Sequence, residues 1–204
     1  MRTKSAAKRQ VILRAAAEVF RESGFERSSM AAIRERAGCS KPTLYSYFAS
    51  KEALFSAVVF EASEAEFQAT LAALDPGIED MTEALTRFGQ GALALLYSPQ
   101  VQAARRVAMA ESGRSDLGRQ CYALGPARCE EAIAAYLQRG IDRGLLRPCD
   151  PRLAAQHFKG LLEAQWLEPF LFKQLQTPPD ARALDSSVHR AVEVFMAAYG
   201  PGKV

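Results

Sequence analysis

Side chains that can bond DNA are concentrated in one short segment, residues 41–47. Lys41 can donate to the O6 and N7 atoms of guanine or to a phosphate, and Thr43 can bond a base edge or a phosphate. Tyr45 offers its ring to a thymine methyl group and its hydroxyl to a polar partner. This chemistry is typical of a helix that reads base edges in the major groove.

The spacing within this segment puts these side chains on one side of a helix. At about 100° per residue, Leu44 and Phe48 lie about 40° apart, and both point to a core. Tyr47 lies to one side, where a sugar-phosphate strand would run. The opposite side is small, polar and aromatic, and it carries Pro42, Thr43, Tyr45 and Ser46.

Phosphate contacts are expected from the ends of two neighbouring helices. Lys51 and the amides beside it begin a predicted fourth helix, and Ser28 and Ser29 offer hydroxyls and amides at the start of a second. Such contacts fix the register of a protein on the duplex without reading its sequence.

Four N-terminal helices must position these residues, and caps and apolar spacing predict their ends. Ser40 caps helix three, in which Pro42 is tolerated because the first-turn amides lack an intrahelical partner. Gly24 and Gly38 close helices one and two. Two short helices joined by a glycine-containing turn predict a helix-turn-helix. The predicted spans are 5–23, about nine residues from Ser28 or Ser29, 40–48 and 50–74.

Helical periodicity continues beyond a break at Asp75-Pro76-Gly77. Sustained period-two alternation is absent, so we predict an all-α fold. Further helical stretches are expected at about 79–97, 99–113, 116–144, 150–176 and 183–199, and Gly125-Pro126 leaves the third open to division into two helices. The last carries an apolar stripe, which packs inside its own subunit or also faces a partner subunit. The stripe consists of Val188, Ala191, Val192, Phe195, Ala198 and Tyr199.

Charge is distributed unevenly along the chain. The net charge is +3, but residues 1–51 hold 11 Lys and Arg against 4 Asp and Glu, a net of +7, and the remainder carries a net of −4. A small basic module joined to an acidic one fits binding of a phosphate backbone by the first part alone. The alternative is a solvated basic face without a partner.

The cysteine pattern argues against a bound metal. Cys39, Cys121, Cys129 and Cys149 form no CxxC pair, and His157 and His189 are the only imidazoles in the sequence. We therefore predict no zinc or other metal site and no cofactor. The sequence shows no apolar leader segment and no run approaching 18 apolar residues, so we expect a cytoplasmic protein with free thiols and no membrane partner.

The run SSMAAIRERAGCSKPTLYSYFASKEALF, residues 28–55, resembles the DNA-binding signature of the tetracycline-repressor (TetR) family. The resemblance implies that Lys41, Pro42, Thr43 and Tyr45 meet bases, and that Ser29, Thr43, Tyr47 and Lys51 meet phosphates. Cys39 stands where the family usually has a small aliphatic residue. We interpret it as a small buried hydrophobe, with a redox sensor as the alternative.

The same resemblance implies an all-α homodimer that binds double-stranded DNA at a palindromic operator, and repression as the mode of regulation. A helix-turn-helix domain would occupy residues 1–51, and a helical effector-binding and dimerisation domain residues 52–204. The last two long helices would pair with those of the partner in a four-helix bundle. The C-terminal half loosely resembles AefR-like members of the family.

A small-molecule effector is implied as well, and apolar, aromatic side chains of the larger domain suit an apolar ligand. Each of them could equally be plain core. The candidates are Met109, Tyr122, Phe158, Leu162, Trp166 and Phe170.

Two alternative functions are an enzyme and a DNA-binding protein without an effector. The sequence holds no GxSxG, no phosphate-binding glycine loop, no HExxH and no evident Cys-His pair, so we predict that it is not an enzyme. A DNA-binding protein without an effector is the second alternative, and loss of DNA affinity on addition of a ligand would distinguish it.

Overall fold

The computed structural model describes residues 5–75, 77, 80–175 and 177–201, and every regular element in these ranges is an α-helix. The all-α prediction is therefore confirmed. The helices are α1 Ala6–Arg27, α2 Met30–Arg36, α3 Lys41–Tyr47, α4 Lys51–Ala72, α5 Met81–Leu96, α6 Pro99–Glu111, α7 Leu117–Leu124, α8 Pro126–Asp142, α9 Pro151–Glu163, α10 Leu167–Leu171 and α11 Ala181–Tyr199.

The first three helices begin at serine caps. Ser5, Ser29 and Ser40 accept hydrogen bonds through their side chains from the amides of Lys8, Ala32 and Thr43. Each of these bonds satisfies an amide that has no intrahelical partner. The predicted caps at Ser29 and Ser40 are thus confirmed.

Two glycines interrupt the helical backbone with positive φ values, as expected. Gly24 has a φ of 73° and interrupts the helical backbone within α1, and Gly38 has a φ of 54° just after α2. Residues with a Cβ atom rarely adopt this conformation. The chain can therefore turn sharply between α2 and α3.

The chain forms two compact units. The first holds the described residues up to Ser63 together with Ala103–Cys121, and the second holds the described residues of Glu64–Gln102 and from Tyr122 onward. Helix α4 therefore contributes residues to both units. The domain boundary after residue 51 stays a prediction.

The core of the first unit is apolar and aromatic. Ile12, Ile33, Leu44 and Leu54 are fully buried there. The rings of Phe20, Phe25 and Phe55 pack together, with centroids 4.8 to 6.2 Å apart.

The core of the second unit lies among α5, α8, α9 and α11. Phe88, Phe158 and Phe195 pack there with centroids 5.1 and 6.2 Å apart. The stripe on α11 is buried within this unit at every position except Ala198, which is exposed. The interpretation that the stripe packs inside its own subunit is thus confirmed for the five buried positions.

Some predicted helix limits differ from the observed ones. The predicted helix 150–176 is wrong, because the chain forms α9 and then α10. Pro169 explains the break, since it has no amide to donate to residue 165 and its ring would clash with that carbonyl in a continuous helix. The predicted helix 116–144 is divided at Gly125 into α7 and α8.

Parts of three predicted features lie outside the described residues. They are residue 76 of the predicted break, residue 79 of the predicted helix 79–97 and residue 176 of the predicted helix 150–176. Among the helices that are described, none combines the length and the apolar character needed to cross a membrane.

Candidate nucleic-acid interface

Helices α2 and α3 form the predicted helix-turn-helix. The amides of Gly38 and Cys39 donate back to the carbonyls of Glu35 and Arg34, at 3.1 and 3.3 Å, which closes the end of α2. The ammonium group of Lys8, on α1, donates to the carbonyl oxygens of Ala37 (3.3 Å) and Gly38 (3.5 Å). A cation at this end of a helix is favourable because the carbonyl end of the helix dipole is negative.

The outer side of α3 is open to solvent, and its inner side is not. Leu44 and Phe48 are buried, as their spacing predicts. The ring of Tyr45 is 44% exposed, with the ammonium of Lys41 5.9 Å from its centroid. Pro42 and Ser46 are also exposed, so α3 presents four of its seven residues to a partner.

Hydroxyl groups on α3 are partly engaged within the helix. Thr43 Oγ1 and Ser40 Oγ lie 2.8 Å apart and share a hydrogen bond. Ser46 Oγ donates to the carbonyl of Thr43 at 2.7 Å. A hydroxyl that donates one bond keeps lone pairs for a further donor. Ser46 can therefore still accept a bond from a base amino group.

Tyr47 ties α3 to the start of α1. Its hydroxyl accepts a hydrogen bond from the amide of Ser5 at 2.8 Å. The side chain is half-buried, which fits the expected position at one side of α3. The contact fixes the beginning of α1 against the recognition helix, a role that the sequence analysis did not foresee.

Lys51 is held by backbone oxygens. Its Nζ donates to the carbonyls of Phe25 (2.8 Å), Ser28 (3.3 Å) and Glu26 (3.4 Å). It also lies 4.3 Å from the centroid of the Phe25 ring. An ammonium has three donors, so these contacts occupy all of them. A phosphate would have to displace one of the carbonyls to bond Lys51.

Ser28 and Ser29 differ in their surroundings. Ser28 is buried, and its Oγ donates to the carbonyl of Phe25 at 2.6 Å. Ser29 is exposed and caps α2. Only Ser29 of the two presents its side chain to solvent.

Arg36 links α2 to α1 through two carboxylates. Its guanidinium lies 3.0 Å from Glu18 and 2.9 Å from Glu22. The hydrogen bond from Arg36 lowers the pKa of Glu22, and the same bond raises the pKa of Arg36. The charge of this arginine is therefore neutralised by α1, and Arg36 adds little to the positive charge of the first unit.

The six candidate effector residues do not share one site. Phe158, Leu162 and Phe170 are buried in the core of the second unit, and Trp166 is half-buried beside them, its ring 6.2 Å from that of Tyr97. Tyr122 belongs to the same unit but is exposed. It lines a surface hollow of about 410 Å³ together with residues of α8 and α9. Met109 is exposed and belongs to the first unit.

Sequence reasoning missed the polar partner of Trp166. Its indole nitrogen donates to Ser187 Oγ at 3.0 Å, and Ser187 Oγ lies 2.8 Å from Gln165 Oε1. The pair joins the start of α10 to α11 across 21 residues of sequence. A fixed indole of this kind can report changes in the surrounding core.

Cys39, Cys121, Cys129 and Cys149 form no disulfide, and burial raises the pKa of the Cys129 thiol to about 11. A thiol that stays protonated at neutral pH is a weak nucleophile and a weak metal ligand. Within the described residues no group of three or more His, Cys, Asp or Glu is placed to hold a metal ion.

Two family profiles match the chain in order. The profile described as bacterial regulatory proteins, tetR family, matches residues 12–58, which include α2 and α3. The profile described as the C-terminal domain of AefR-like transcriptional repressors matches residues 83–201. The exposed side of α3 thus lies within the part of the chain that matches the regulators' DNA-binding profile.

Related sequences are helix-turn-helix transcriptional regulators. UidR of Escherichia coli (strain K12) is 35% identical over 117 residues, which are 50% of this chain and 59% of UidR. YfiR of Bacillus subtilis (strain 168) is 30% identical over 154 residues, which are 71% of each chain. The chain therefore spans less than two thirds of UidR and more than two thirds of YfiR.

Solved structures share the fold over almost the whole chain. A TetR-family transcriptional regulator from Mesorhizobium loti MAFF303099 has a TM-score of 0.77 and 30% identity, and the match covers 98% of this chain and 100% of that one. The flavonoid-responsive regulator FrrA has a TM-score of 0.69 and 30% identity, with the same coverage.

Proposed function

The chain belongs to the tetR family of bacterial regulatory proteins, and from this premise we propose that it represses transcription by binding a palindromic operator as a homodimer. A small apolar effector would release it from the DNA. The observation that carries the proposal is the exposed side of α3, where Lys41, Pro42, Tyr45 and Ser46 face solvent beside a buried Leu44.

The contacts with DNA divide by kind. Lys41, Pro42, Thr43 and Tyr45 would meet base edges, because the exposed side of a recognition helix enters the major groove. Ser29 and Tyr47 would meet phosphates at the two sides of this helix. Lys51 would serve mainly by holding the first turn of α4 to the backbone of residues 25–28.

A homodimer is supported by the length of α3 and by an exposed apolar face. Seven residues read only a few base pairs, so two-fold symmetry doubles the readout. Helices α9 and α11 pack against each other, and both also expose small or apolar side chains to solvent. A second copy would pair its own α9 and α11 with this face in a four-helix bundle. The exposed residues are Leu153 and Gly160 on α9, Ala164 directly after α9, and Val194, Ala197 and Ala198 on α11.

An apolar aromatic effector is supported by the core of the second unit and by one relative. FrrA is described as flavonoid-responsive. Phe158, Trp166 and Phe170 line the core in which a planar apolar molecule would bind here. To weaken operator binding a hundredfold, the effector must favour the released state by about 2.7 kcal/mol, which lies within the usual range of coupling energies.

Selection from a random pool of DNA duplexes tests the proposal. The wild-type chain should enrich a palindrome whose half-sites lie about one helical turn, or a multiple of it, apart. A variant that carries Thr43→Ala and Tyr45→Ala should enrich no sequence, although it keeps its helical content. Enrichment of one asymmetric half-site by a monomer would contradict the homodimer, and enrichment of nothing by the wild type would contradict the proposed function.

A flavonoid is a suitable first probe of release. If it is an inducer, it weakens binding to the selected duplex, and the duplex weakens flavonoid binding by the same factor. The fluorescence of Trp166 should change on binding if this residue lines the site. Equal flavonoid affinity with and without the duplex would show that this probe is not an inducer.

A further inference from the structure

A hollow of about 240 Å³ opens where the end of α8 meets the start of α5. It lies wholly within the second unit, and none of the six candidate effector residues lines it. Its lining combines apolar side chains, a buried hydroxyl and two guanidinium groups. We call this space, lined by Met81, Tyr136, Arg139, Arg143 and Leu145 among others, the α8 hollow.

One part of the lining is apolar. Met81 is buried and Leu145 is half-buried. A Cβ atom on Gly140 would lie 2.7 Å from Met81 Sδ, so this glycine lets the thioether lie directly against α8. A polarisable thioether and a branched aliphatic side chain suit the face of an aromatic ring or a short alkyl chain.

Tyr136 brings a buried hydroxyl group to the same hollow. The residue is 4% exposed, and its hydroxyl has no hydrogen-bond partner among the residues that the structure describes. Burial raises the pKa of this hydroxyl, whereas the charges of Arg143 and Arg139 lower it. The hydroxyl is therefore protonated at neutral pH, and it can donate a hydrogen bond to a bound acceptor. Since buried polar groups in proteins almost always have a partner, the unused donor points to a ligand.

Two guanidinium groups lie beside this hydroxyl. Arg139 is in the last turn of α8 and Arg143 caps the helix, so the two side chains lie on one side of it. Both are exposed to solvent, and Arg139 forms no ion pair within the part of the chain that the structure describes. A guanidinium has five N–H donors in a planar fork, which matches the two oxygens of a carboxylate.

Carboxylates near the hollow accept hydrogen bonds from neighbours of their own. Asp142 also lines the hollow, and it accepts a bond from Gln138 Nε2 at 2.7 Å. Besides burial, the charges of Asp80 and Asp75 raise the pKa of the Tyr136 hydroxyl, and each carboxylate accepts a bond from an amide of its own turn at 2.8 Å. Among the lining residues, two positive charges therefore face one negative charge. This balance favours a ligand with a single negative charge.

The carbonyl end of α8, which would repel an anion, is closed by amides of the following turn. The carbonyl of Gly140 accepts the amides of Leu145 (2.8 Å) and Leu146 (3.3 Å). The carbonyl of Ile141 accepts the amide of Gly144, whose φ of 72° makes the turn possible. Carbonyls that already accept hydrogen bonds present less negative charge to a ligand than free ones do.

We propose that the α8 hollow binds a small monocarboxylate with an apolar body, such as an aromatic acid. The carboxylate accepts hydrogen bonds from Arg139 and Tyr136, and the apolar body contacts Met81 and Leu145. A hollow of about 240 Å³ is smaller than the usual site for a drug-sized molecule, so the ligand is small. This site is additional to the apolar effector site of the proposed function, and it does not depend on DNA binding.

Three probes that share a phenyl ring test the preference for negative charge. Benzoate is an anion, benzyl alcohol is neutral and benzylamine is a cation. Each is titrated into the isotope-labelled full chain, without DNA, and amide shifts at residues 139–145 are followed by NMR. Benzoate should bind with a Kd of about 1 mM, which is usual for so small a ligand, and the other two at least about tenfold more weakly.

Two variants test the donors. Arg139→Met removes the guanidinium and Tyr136→Phe removes only the hydroxyl, so they should weaken benzoate binding about tenfold and about fivefold. Both should bind benzyl alcohol as the wild type does. Tyr136→Phe should keep the melting temperature, because the hydroxyl has no partner to lose. Arg152→Met is the control, since it removes an exposed arginine of α9 that does not line the hollow, and it should bind benzoate as the wild type does.

Several results would overturn the inference. They are no shift of these amides at about 20 mM benzoate, equal affinity for benzoate and benzyl alcohol, and tighter binding of benzylamine. Benzoate affinity within twofold of the wild type in both Arg139→Met and Tyr136→Phe would do so as well, and so would an equal loss in Arg152→Met. Because no DNA is present, each of these results leaves the proposed repressor function intact.

Discussion

Three lysines among the described residues of the first unit lie in different surroundings, which separate their roles. Lys8 and Lys51 direct their ammonium groups at backbone carbonyls near the ends of α2 and α1. Lys41 is exposed beside the ring of Tyr45. Positive charge at the carbonyl end of a helix is stabilising, so Lys8 and Lys51 hold the fold, and of these three lysines only Lys41 is free to reach a base or a phosphate.

Tyr45→Ala should relax the base preference at one position of the operator. The exposed ring would lose its contact with one base, at a cost of about 1–3 kcal/mol for the preferred sequence and less for others. Binding to a set of duplexes with single substitutions measures this. Tyr122→Ala removes another exposed tyrosine, from the second unit, and should leave binding to every duplex unchanged. A uniform loss of affinity across all duplexes would show that Tyr45 contacts the DNA backbone instead.

Lys51→Met should lower the free energy of unfolding of the protein and leave the salt dependence of its DNA binding nearly unchanged. Three carbonyls lose a charged donor, which costs about 1–3 kcal/mol in the free energy of unfolding. Chemical denaturation measures the loss, and the salt dependence of DNA binding should change by less than half a unit. A fall of about one unit in the salt slope at unchanged stability would restore Lys51 as a phosphate contact.

Local spacing predicts which residues of α3 are exposed, since the period of a helix fixes the direction of each side chain. It does not predict the partners of Lys51 and Tyr47. These partners lie 26 and 42 residues away in the sequence, and only tertiary packing brings them together. The sequence therefore predicted the exposed side of α3 but not the contacts that hold Lys51 and Tyr47.

At the scale of elements, the sequence predicted those helix ends that a capping serine or a glycine determines. Ser29 and Ser40 begin α2 and α3, and Gly38 has the expected positive φ. The prediction of one helix over residues 150–176 was wrong, because apolar periodicity continues across Pro169 whereas a continuous helical backbone cannot. Periodicity describes burial, and the backbone chemistry of proline overrides it.

Gly38→Ala should weaken the helix-turn-helix through the backbone alone. An added Cβ atom would meet no atom within 4 Å, so the cost of about 1–2 kcal/mol comes from the φ of 54°. Gly113→Ala is the control, because its surroundings are equally open and its φ is outside the left-handed region. Thermal unfolding of both variants measures the difference. Equal melting temperatures would show that the turn adopts another conformation without cost.

At the scale of the molecule, the sequence indicated an effector site and a dimer only through family resemblance. Four of the six candidate effector residues share one core, whereas Tyr122 and Met109 are exposed elsewhere. An apolar residue in a helix has the same spacing whether it fills a core, lines a pocket or meets a partner. The apolar face on α9 and α11 could be identified only from the structure. It consists of the small and apolar residues of these helices that are not buried in the core.

Gly160→Glu should separate the proposed dimer without harming the subunit. Gly160 lies on the exposed side of α9 with open space around it, and glutamate is a better helix former than glycine. In a two-fold dimer built on this face, the substitution places a charge from each copy in the contact, where like charges cost several kcal/mol.

Sedimentation equilibrium should show the Gly160→Glu variant as a monomer at concentrations where the wild type is dimeric, and its affinity for the palindrome should fall with it. The melting temperature of the wild type should rise with protein concentration, whereas that of the variant should not. Gly113→Glu adds the same charge at an open position of the first unit and should leave the dimer intact. A dimeric Gly160→Glu variant with unchanged operator affinity would place the contact between subunits on another face.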